Sequence, residues 1–292
     1  MKPRTVLSYA WKVPVCGLAF LAGTILGSML AGAMGMQPPS MPPGTDPQTL
    51  LLVQLLASPL LVLALAFLSR GIEGRFVTRW LILSFLAWVA YSVNTLLETA
   101  IFTTLATASS FTAVIQLVGS FACGAAVAAL FRPQDAGRGF LSSLREFSAR
   151  RTASQWAWRL LLAAVAFMPI YLFFGTLVAR VTFQYYVQNV AGLRAPGWGQ
   201  ILPVLFVRSV LFLAASLPVL IAWRKSRRSL ILSLGFAMFV LVGGMGLIGG
   251  YWLPLDVRVY HGLEILADSM AYAWVIVILL WPSREPRSPV RE

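Results

Sequence analysis

The sequence predicts an all-α fold, a polytopic membrane protein built as a bundle of eight transmembrane helices. Of its 292 residues, 59% belong to the hydrophobic set and only 11% are charged, whereas about a quarter of the residues in a soluble domain are charged. The mean hydropathy of +0.79 indicates the same class. This composition excludes a cytosolic enzyme, a secreted disulfide scaffold and a disordered chain.

Eight stretches are long and apolar enough to cross a bilayer, whose hydrocarbon core of about 30 Å takes roughly 20 helical residues. Their continuous apolar character predicts helices, because the strands of a membrane barrel would alternate. The eight predicted spans are Val13–Met36, Leu50–Ser69, Trp80–Ile101, Phe111–Phe131, Leu160–Ala179, Ile201–Trp223, Leu230–Trp252 and Leu263–Trp281.

The distribution of basic residues supports this number of spans. If the N-terminus is inside and the connections alternate, 19 of the 23 Lys and Arg residues fall in inside segments. Cytoplasmic loops of membrane proteins carry this excess, so both termini are predicted to be cytoplasmic. The net charge of +13 then reflects topology and not a nucleic-acid partner. We predict a multi-pass protein of a cell membrane, of the bacterial inner-membrane type, with the lipid bilayer as its surroundings.

The first span leaves one alternative open. It follows Lys2, Arg4 and Lys12 and ends near Ala31-Gly32-Ala33, so a cleaved signal peptide would also fit. The apolar run of about 20 residues is longer than a typical signal-peptide core of 7–15 residues, which favours a retained helix.

Residues 1–281 are predicted to form one transmembrane helical domain, followed by a disordered tail at 282–292. The tail alternates Pro, Arg, Ser and Glu and has no apolar face. The longest cytoplasmic connection, 132–159, separates four spans in 1–131 from four in 160–281. Two parallel repeats would fit this division, but we expect no side-chain pattern to recur between the halves, so no repeat is predicted.

The 132–159 connection is predicted to contain a short amphipathic helix on the inner leaflet. Phe140, Leu141, Leu144 and Phe147 recur at helical spacing among basic residues. These basic residues are expected to attract anionic inner-leaflet lipids, and they are Arg138, Arg145, Arg150 and Arg151. A solvated basic loop is the alternative.

Two further segments carry recognisable patterns. The outer connection Arg180–Gln200 is rich in aromatic residues, which predicts an interfacial loop or a lid over an outward-facing cavity. The segment Gly244–Gly249 matches the dinucleotide pattern GxGxxG, but it lies inside an apolar span and follows no soluble strand. Small residues at Gly246 and Gly250 therefore predict close helix packing. No P-loop, HExxH, GxSxG or SxxK motif is present.

Polar side chains inside the spans are the candidates for function, since they are costly in lipid and usually face the bundle interior. At 1.5 Å per residue, four helices carry such groups in the outer third of the bilayer. Glu98 and Asp268 are predicted to bind a cation or to exchange a proton, with Arg208 as their counter-ion or as an anion anchor. Asn94 and Gln116 are predicted to orient them, so that the five residues form a substrate or proton pathway.

His261, Glu264 and Asp268 are spaced i, i+3 and i+7, so they share one helix face. One imidazole with carboxylates is an adequate but unspecific ligand set for a metal ion, and also suits acid–base chemistry. No other cofactor is predicted, because His261 is the single histidine and the two cysteines form no CxxC.

These observations favour a permease-like or transport-associated protein with a polar site in the outer third of the membrane. An intramembrane enzyme, either a metal-dependent or an acid–base hydrolase acting on a lipid or peptide, is the first alternative. A non-catalytic membrane subunit of a larger complex is the second, and its protein partner would be unknown. The polar layer would also be explained by a purely structural ion pair between Arg208 and Asp268 or Glu98.

Overall fold

The computed structural model describes residues 3–39, 45–104, 110–133 and 139–281. Within these ranges the protein is all-α and contains no strand. The helices are α1 (Pro3–Ala33), α2 (Pro47–Ser69), α3 (Phe76–Phe102), α4 (Ser110–Leu130), α5 (Phe140–Ala149), α6 (Ala153–Val187), α7 (Trp198–Ala222), α8 (Arg227–Gly249) and α9 (Leu255–Leu280). All except α5 are long and apolar enough to cross a membrane, so the eight predicted helices are confirmed over the described residues.

Helix α6 corrects the predicted end of the fifth span. It continues from the predicted end at Ala179 to Val187, so the first part of the predicted loop Arg180–Gln200 is helical. The extra turns contain Arg180, Gln184 and two tyrosines, whose lower apolarity hides a helix from a hydropathy reading. The remainder of the connection holds a short 3₁₀ turn, Val190–Gly192.

Helix α5 confirms the predicted helix in the 132–159 connection, although only part of its apolar face is left exposed. Phe147 is buried and stacks on Trp156 with ring centroids 4.8 Å apart. Ser143 is also buried, whereas Leu141 is 69% exposed. The helix therefore anchors to the bundle on one side. Arg138 and the predicted tail 282–292 lie outside the described residues.

The eight long helices pack as a closed ring. Neighbours around the ring are α1, α4, α3, α7, α6, α9, α8, α2 and again α1. The first four helices in the chain therefore occupy one side of the ring, and α6 to α9 occupy the other. Within the first half the packing order is α2–α1–α4–α3, and within the second it is α7–α6–α9–α8. Corresponding helices thus have corresponding neighbours, and the halves meet at α3–α7 and at α2–α8.

Glycines allow the close approach of α1 and α4. A Cβ atom added at Gly27 would lie 2.8 Å from Ile115 Cα, and one added at Gly23 would lie 2.9 Å from Gly119 Cα. Both obstacles are backbone atoms, so neither can rotate away. This is the packing of small residues that membrane helices use where no hydrophobic effect drives their association.

Gly27→Ala is expected to destabilise the protein, whereas Gly32→Ala on the same helix is expected to stabilise it slightly. The Gly27 methyl group would force α1 away from α4, at a cost of about 1–3 kcal/mol. A methyl at Gly32 meets nothing within 4 Å, so it gains only the helix preference of alanine, up to about 1 kcal/mol. Thermal unfolding of the two purified variants checks this, and equal midpoints would contradict the close α1–α4 packing.

Two loops pair at the end of the bundle where α1 begins and α9 ends, which we call the basic end. Glu73 N donates to Ala222 O at 2.9 Å, and Arg224 N donates to Gly71 O at 3.0 Å. These bonds join the α2–α3 loop to the α7–α8 loop in a short antiparallel bridge. The Trp223 ring, 2% exposed, covers Gly71 so closely that a Cβ atom there would overlap it.

Side chains reinforce this bridge. Arg224 forms an ion pair with Glu73, and Ser143 Oγ on α5 donates to Glu73 Oε1 at 2.8 Å. Arg224 Nη2 also donates to Ser143 Oγ at 2.8 Å. We call Glu73, Ser143 and Arg224 the basic-end latch. It ties together the two halves of the ring and the helix that connects them.

Candidate functional site

A cavity of about 430 Å³ lies between the two halves, at the end of the bundle opposite the basic end. Helices α2, α3, α4, α6, α7, α8 and α9 contribute to its lining, and most of the lining side chains are apolar. The cavity collects five of the seven residues predicted as site residues, which are Glu98, Arg208, His261, Glu264 and Asp268. The side chains of Glu98 and His261 are 31% and 22% exposed, so solvent reaches into it.

Arg208 on α7 is the cation of this cavity. It pairs with Glu98 on α3, with Nη2 2.6 Å from Oε1, across the contact between the halves. Its guanidinium carbon lies 5.3 Å from the ring centres of both Phe167 and Tyr171, and 5.7 Å from that of Phe212. Aromatic faces attract cations, so these rings partly replace water around the buried charge.

The Arg208 side chain is only partly satisfied. Its Nε and Nη1 atoms are buried and have no hydrogen-bond partner in the described part of the chain. A buried donor without a partner costs roughly 1–3 kcal/mol, and more when it is charged. Two N–H groups of Arg208 are therefore free to donate to a hydrogen-bond acceptor other than Glu98.

Asp268 on α9 is the unpaired carboxylate. It is 2% exposed, and its buried Oδ1 has no partner among the described residues. Of the two structural pairs that the sequence left open for Arg208, the one with Glu98 is formed, and no ion pair with Asp268 is present in the described residues.

His261 and Glu264 instead form a chain with Tyr186. Nδ1 of His261 lies 2.6 Å from Glu264 Oε2, and Nε2 lies 2.9 Å from the Tyr186 hydroxyl oxygen. With Glu264 ionised, Nδ1–H donates to the carboxylate, and Nε2 accepts the Tyr186 hydrogen. Both ring nitrogens are then occupied, so this chain is complete without a ligand.

The same bonds bear on the predicted metal site. No three His, Cys, Asp or Glu side chains in the described ranges are arranged to hold one metal ion. His261 and Glu264 bind each other, and Asp268 stands one turn deeper, where its buried Oδ1 has no hydrogen-bond partner among the described residues. The sharing of a helix face, on which the metal prediction rested, is therefore not enough to converge the three groups on one point.

Asn94 and Gln116 are the two predicted residues that do not line the cavity. Asn94 is buried, and its Nδ2 donates to Val242 O at 3.3 Å. This bond joins two π-helical turns, Trp88–Val93 in α3 and Val240–Gly244 in α8. Gln116 lies on α4, whose Thr112 lines the cavity although Gln116 itself does not, and its buried Oε1 has no partner in the described structure.

The glycine-rich part of α8 corrects a prediction. Gly246 does not pack against another helix, since a Cβ atom added there would meet nothing within 4 Å. At Gly250 the nearest atoms belong to Gly246 and Leu253 of the same segment. Both glycines line the cavity together with Gly243 and Gly249. Only Gly243 packs tightly on a neighbouring helix, against Ile265 of α9. We call the cavity-facing Gly243–Gly250 segment the glycine wall.

Sequence reasoning also missed the tyrosines of α6. Tyr171 and Tyr186 line the cavity, facing Arg208 and His261 respectively. Their spacing of 15 residues is close to four helical turns. Had α6 been extended past Ala179, this spacing would have placed the two on one face.

Two contacts frame the cavity end. Arg194 in the α6–α7 loop donates from Nε to Ile101 O and from Nη2 to Ala100 O, both at 2.8 Å, which satisfies carbonyls at the end of α3. In the corresponding position of the other half, Asp46 N in the α1–α2 loop donates to the Tyr251 hydroxyl at 2.9 Å, just after α8. Each half therefore holds the other at this end through a loop.

Asp46 also caps α2. Its Oδ2 accepts from Thr49 N at 2.8 Å, and these hydrogen bonds lower the pKa of the Asp46 carboxyl.

Comparison with known proteins gives no relative. No protein-family model, no curated protein and no solved structure matches this chain. The class that the fold defines is an all-α protein with eight apolar helices, compatible with a membrane protein.

Proposed function

We propose that the protein is a multi-pass membrane carrier that binds its substrate in the cavity between the two halves. One observation carries this proposal: a cavity with buried charges lies where two similarly packed four-helix halves meet, and the opposite end is closed by paired loops. Secondary transporters bind substrate at the interface of two repeats, which rock about the site to expose it to each side in turn.

The two halves are proposed to be parallel repeats. Corresponding helices begin at a nearly constant separation along the chain, at Pro3 and Ala153, at Pro47 and Trp198, and at Phe76 and Arg227. Helices α3 and α8 also share the sequence Arg-x-Leu-Ile-Leu-Ser, at 79–84 and 228–233, and each contains a π-helical turn. Both features relate α3 to α8, as the packing order does.

The basic end is proposed to face the cytoplasm, as the positive-inside rule predicts. Arg145 of α5 is exposed next to Leu141, so this surface is suited to anionic inner-leaflet lipids. Arg150 and Arg151 already have protein partners, Glu146 Oε1 at 2.5 Å and Leu280 O at 2.8 Å. Their share in lipid binding is expected to be smaller than that of Arg145.

Thiol accessibility tests the carrier proposal without knowledge of the substrate. In a background without Cys16 and Cys123, which are both buried, Ser269→Cys places one thiol in the cavity lining. An impermeant maleimide is expected to label it from the cavity side quickly and from the basic side slowly, because a carrier visits both states. Gly32→Cys, on an open part of α1, should react from the cavity side only. Ser269→Cys that never reacts from the basic side would contradict alternating access.

A further inference from the structure

Two opposite charges in the cavity have unused hydrogen-bonding atoms. Arg208 is 1% exposed and leaves Nε and Nη1 without partners, and Asp268 is 2% exposed and leaves Oδ1 without one in the described structure. Both side chains line the same cavity. Buried polar atoms in proteins are almost always satisfied by protein, water or ligand. The cavity therefore offers donors for an anionic group and an acceptor for a cationic group.

We propose that the cavity binds a zwitterion with an apolar body. Its anionic group binds Arg208, and its ammonium group binds Asp268. This inference rests on the proposed function, since it names the substrate class of the same site. The guanidinium binds a carboxylate or phosphate through two parallel N–H bonds, and the carboxylate of Asp268 accepts an ammonium hydrogen.

The charges of the site favour a zwitterion over either single charge. Glu98 is paired with Arg208 and Glu264 with His261, so Asp268 is the one carboxylate of the described cavity lining without a partner. A simple cation would satisfy Asp268 and leave the Arg208 donors unmet. A simple anion would satisfy Arg208 and bring a further negative charge among three carboxylates. A zwitterion satisfies both side chains and adds no net charge to a site that lies within the low-dielectric interior of the bundle.

The apolar body of the ligand has a surface to contact. The glycine wall is free of side chains at Gly246 and Gly249, where an added Cβ atom would meet nothing within 4 Å. Backbone without side chains lets a ligand lie close to α8. A volume of about 430 Å³ lies in the usual range of small-molecule sites, roughly 300–1,000 Å³. Free amino acids or short peptides and aminophospholipid headgroups share this chemistry.

Two matched sets of probes test the proposal on the purified full chain in nonionic detergent. The soluble set is L-phenylalanine, phenethylamine and 3-phenylpropanoate, which share one ring and differ in charge. The lipid set is lysophosphatidylethanolamine, dodecylamine and lysophosphatidic acid. The zwitterion of one set is expected to raise the unfolding midpoint by about 5 °C at a hundredfold excess over its Kd. Its two singly charged analogues should each bind at least tenfold more weakly. The set that responds identifies the source.

Variants separate the two ends of the ligand. Arg208→Gln is expected to remove the advantage of the zwitterion over the cation, and Asp268→Asn its advantage over the anion. Gly246→Phe should fill the cavity and abolish binding without disturbing the fold, because its Cβ position is open. Gly32→Phe, open in the same way but outside the cavity, should bind as the unmodified protein does.

Each outcome supports or overturns the inference. Binding of a singly charged probe as tightly as its zwitterion would overturn it, as would the absence of any shift with all six probes. The carrier proposal fails separately. A zwitterion that binds but is not taken up by proteoliposomes would contradict the carrier proposal and support the zwitterion site. Uptake of a simple cation would support the carrier proposal and contradict the zwitterion site.

Discussion

Replacing Glu98 with leucine is expected to destabilise the protein more than replacing Arg208 with methionine, and replacing both should recover most of the loss. Glu98→Leu leaves the guanidinium, 2% exposed, without its counter-ion. Removing one partner of a buried pair costs about 3–5 kcal/mol, whereas exchanging both for apolar residues is often neutral. Arg208→Met leaves Glu98, which is 31% exposed and can be hydrated, so the cost is smaller.

Unfolding midpoints of the two single variants and the double variant measure this order, and the double-mutant cycle isolates the pair. The double variant also separates structure from function. If the pair only locks α3 to α7, a stable Glu98→Leu/Arg208→Met protein will still bind the zwitterionic probe and transport. We expect it to fold and to do neither. Retained binding in this variant would refute a functional role of Arg208.

Asp268→Asn is the matched control, because Asp268 is buried but unpaired. A buried carboxyl group without a counter-ion is costly to ionise, and asparagine has nearly the same shape without that cost, so this variant is expected to unfold at the same or a higher temperature. Loss of binding together with unchanged stability is the signature of a residue kept for its function.

The number and approximate positions of the eight apolar helices were predictable from the sequence because they depend on length and apolarity. Those properties are additive along the chain. The full length of α6 was not predictable from apolarity, because its last turns contain Arg180 and Gln184 and are helical without being apolar. The π-helical turns of α3 and α8 lie inside continuous apolar runs, so neither hydropathy nor charge marks them. The expectation that no side-chain pattern recurs between the halves is wrong, because Arg-x-Leu-Ile-Leu-Ser occurs in both, at 79–84 and 228–233.

The candidate site was predictable where full charges were involved. Glu98, Arg208 and Asp268 lie within predicted spans. Ionisable side chains within spans usually face the interior of the bundle, because exposing them to lipid is costly. Amide side chains are cheaper to bury, and Asn94 donates from Nδ2 to one main-chain carbonyl, Val242 O, without lining the cavity itself. The surroundings of a glycine in a span are harder still to predict from the sequence. Its sequence does not reveal whether a helix faces it, as at Gly27, or a cavity, as at Gly246.

Breaking the basic-end latch is expected to open the bundle towards the basic side. Glu73→Gln removes the ion pair with Arg224 and weakens the bond from Ser143. Hydrogen bonds to charged groups contribute about 1.5–3 kcal/mol, so the population of the open state should rise about tenfold or more. The measurement is the rate at which an impermeant maleimide labels Ser269→Cys from the basic side. Ser143→Ala, which keeps the ion pair, should change this rate far less.

Gly71→Ala tests the same closure without changing any charge. Its methyl group would overlap the Trp223 ring, so the ring must move and the bridge between the α2–α3 and α7–α8 loops must separate. Gly139→Ala is the matched control at the same end, since its Cβ position is empty within 4 Å. We expect faster basic-side labelling with Gly71→Ala and an unchanged rate with Gly139→Ala. If both Glu73→Gln and Gly71→Ala only lower the unfolding midpoint and leave labelling unchanged, the latch holds the fold together and does not gate it. The rocking of two halves about the Arg208 cavity would then lose the closure proposed for the basic end, where the latch joins both halves to the connecting helix α5.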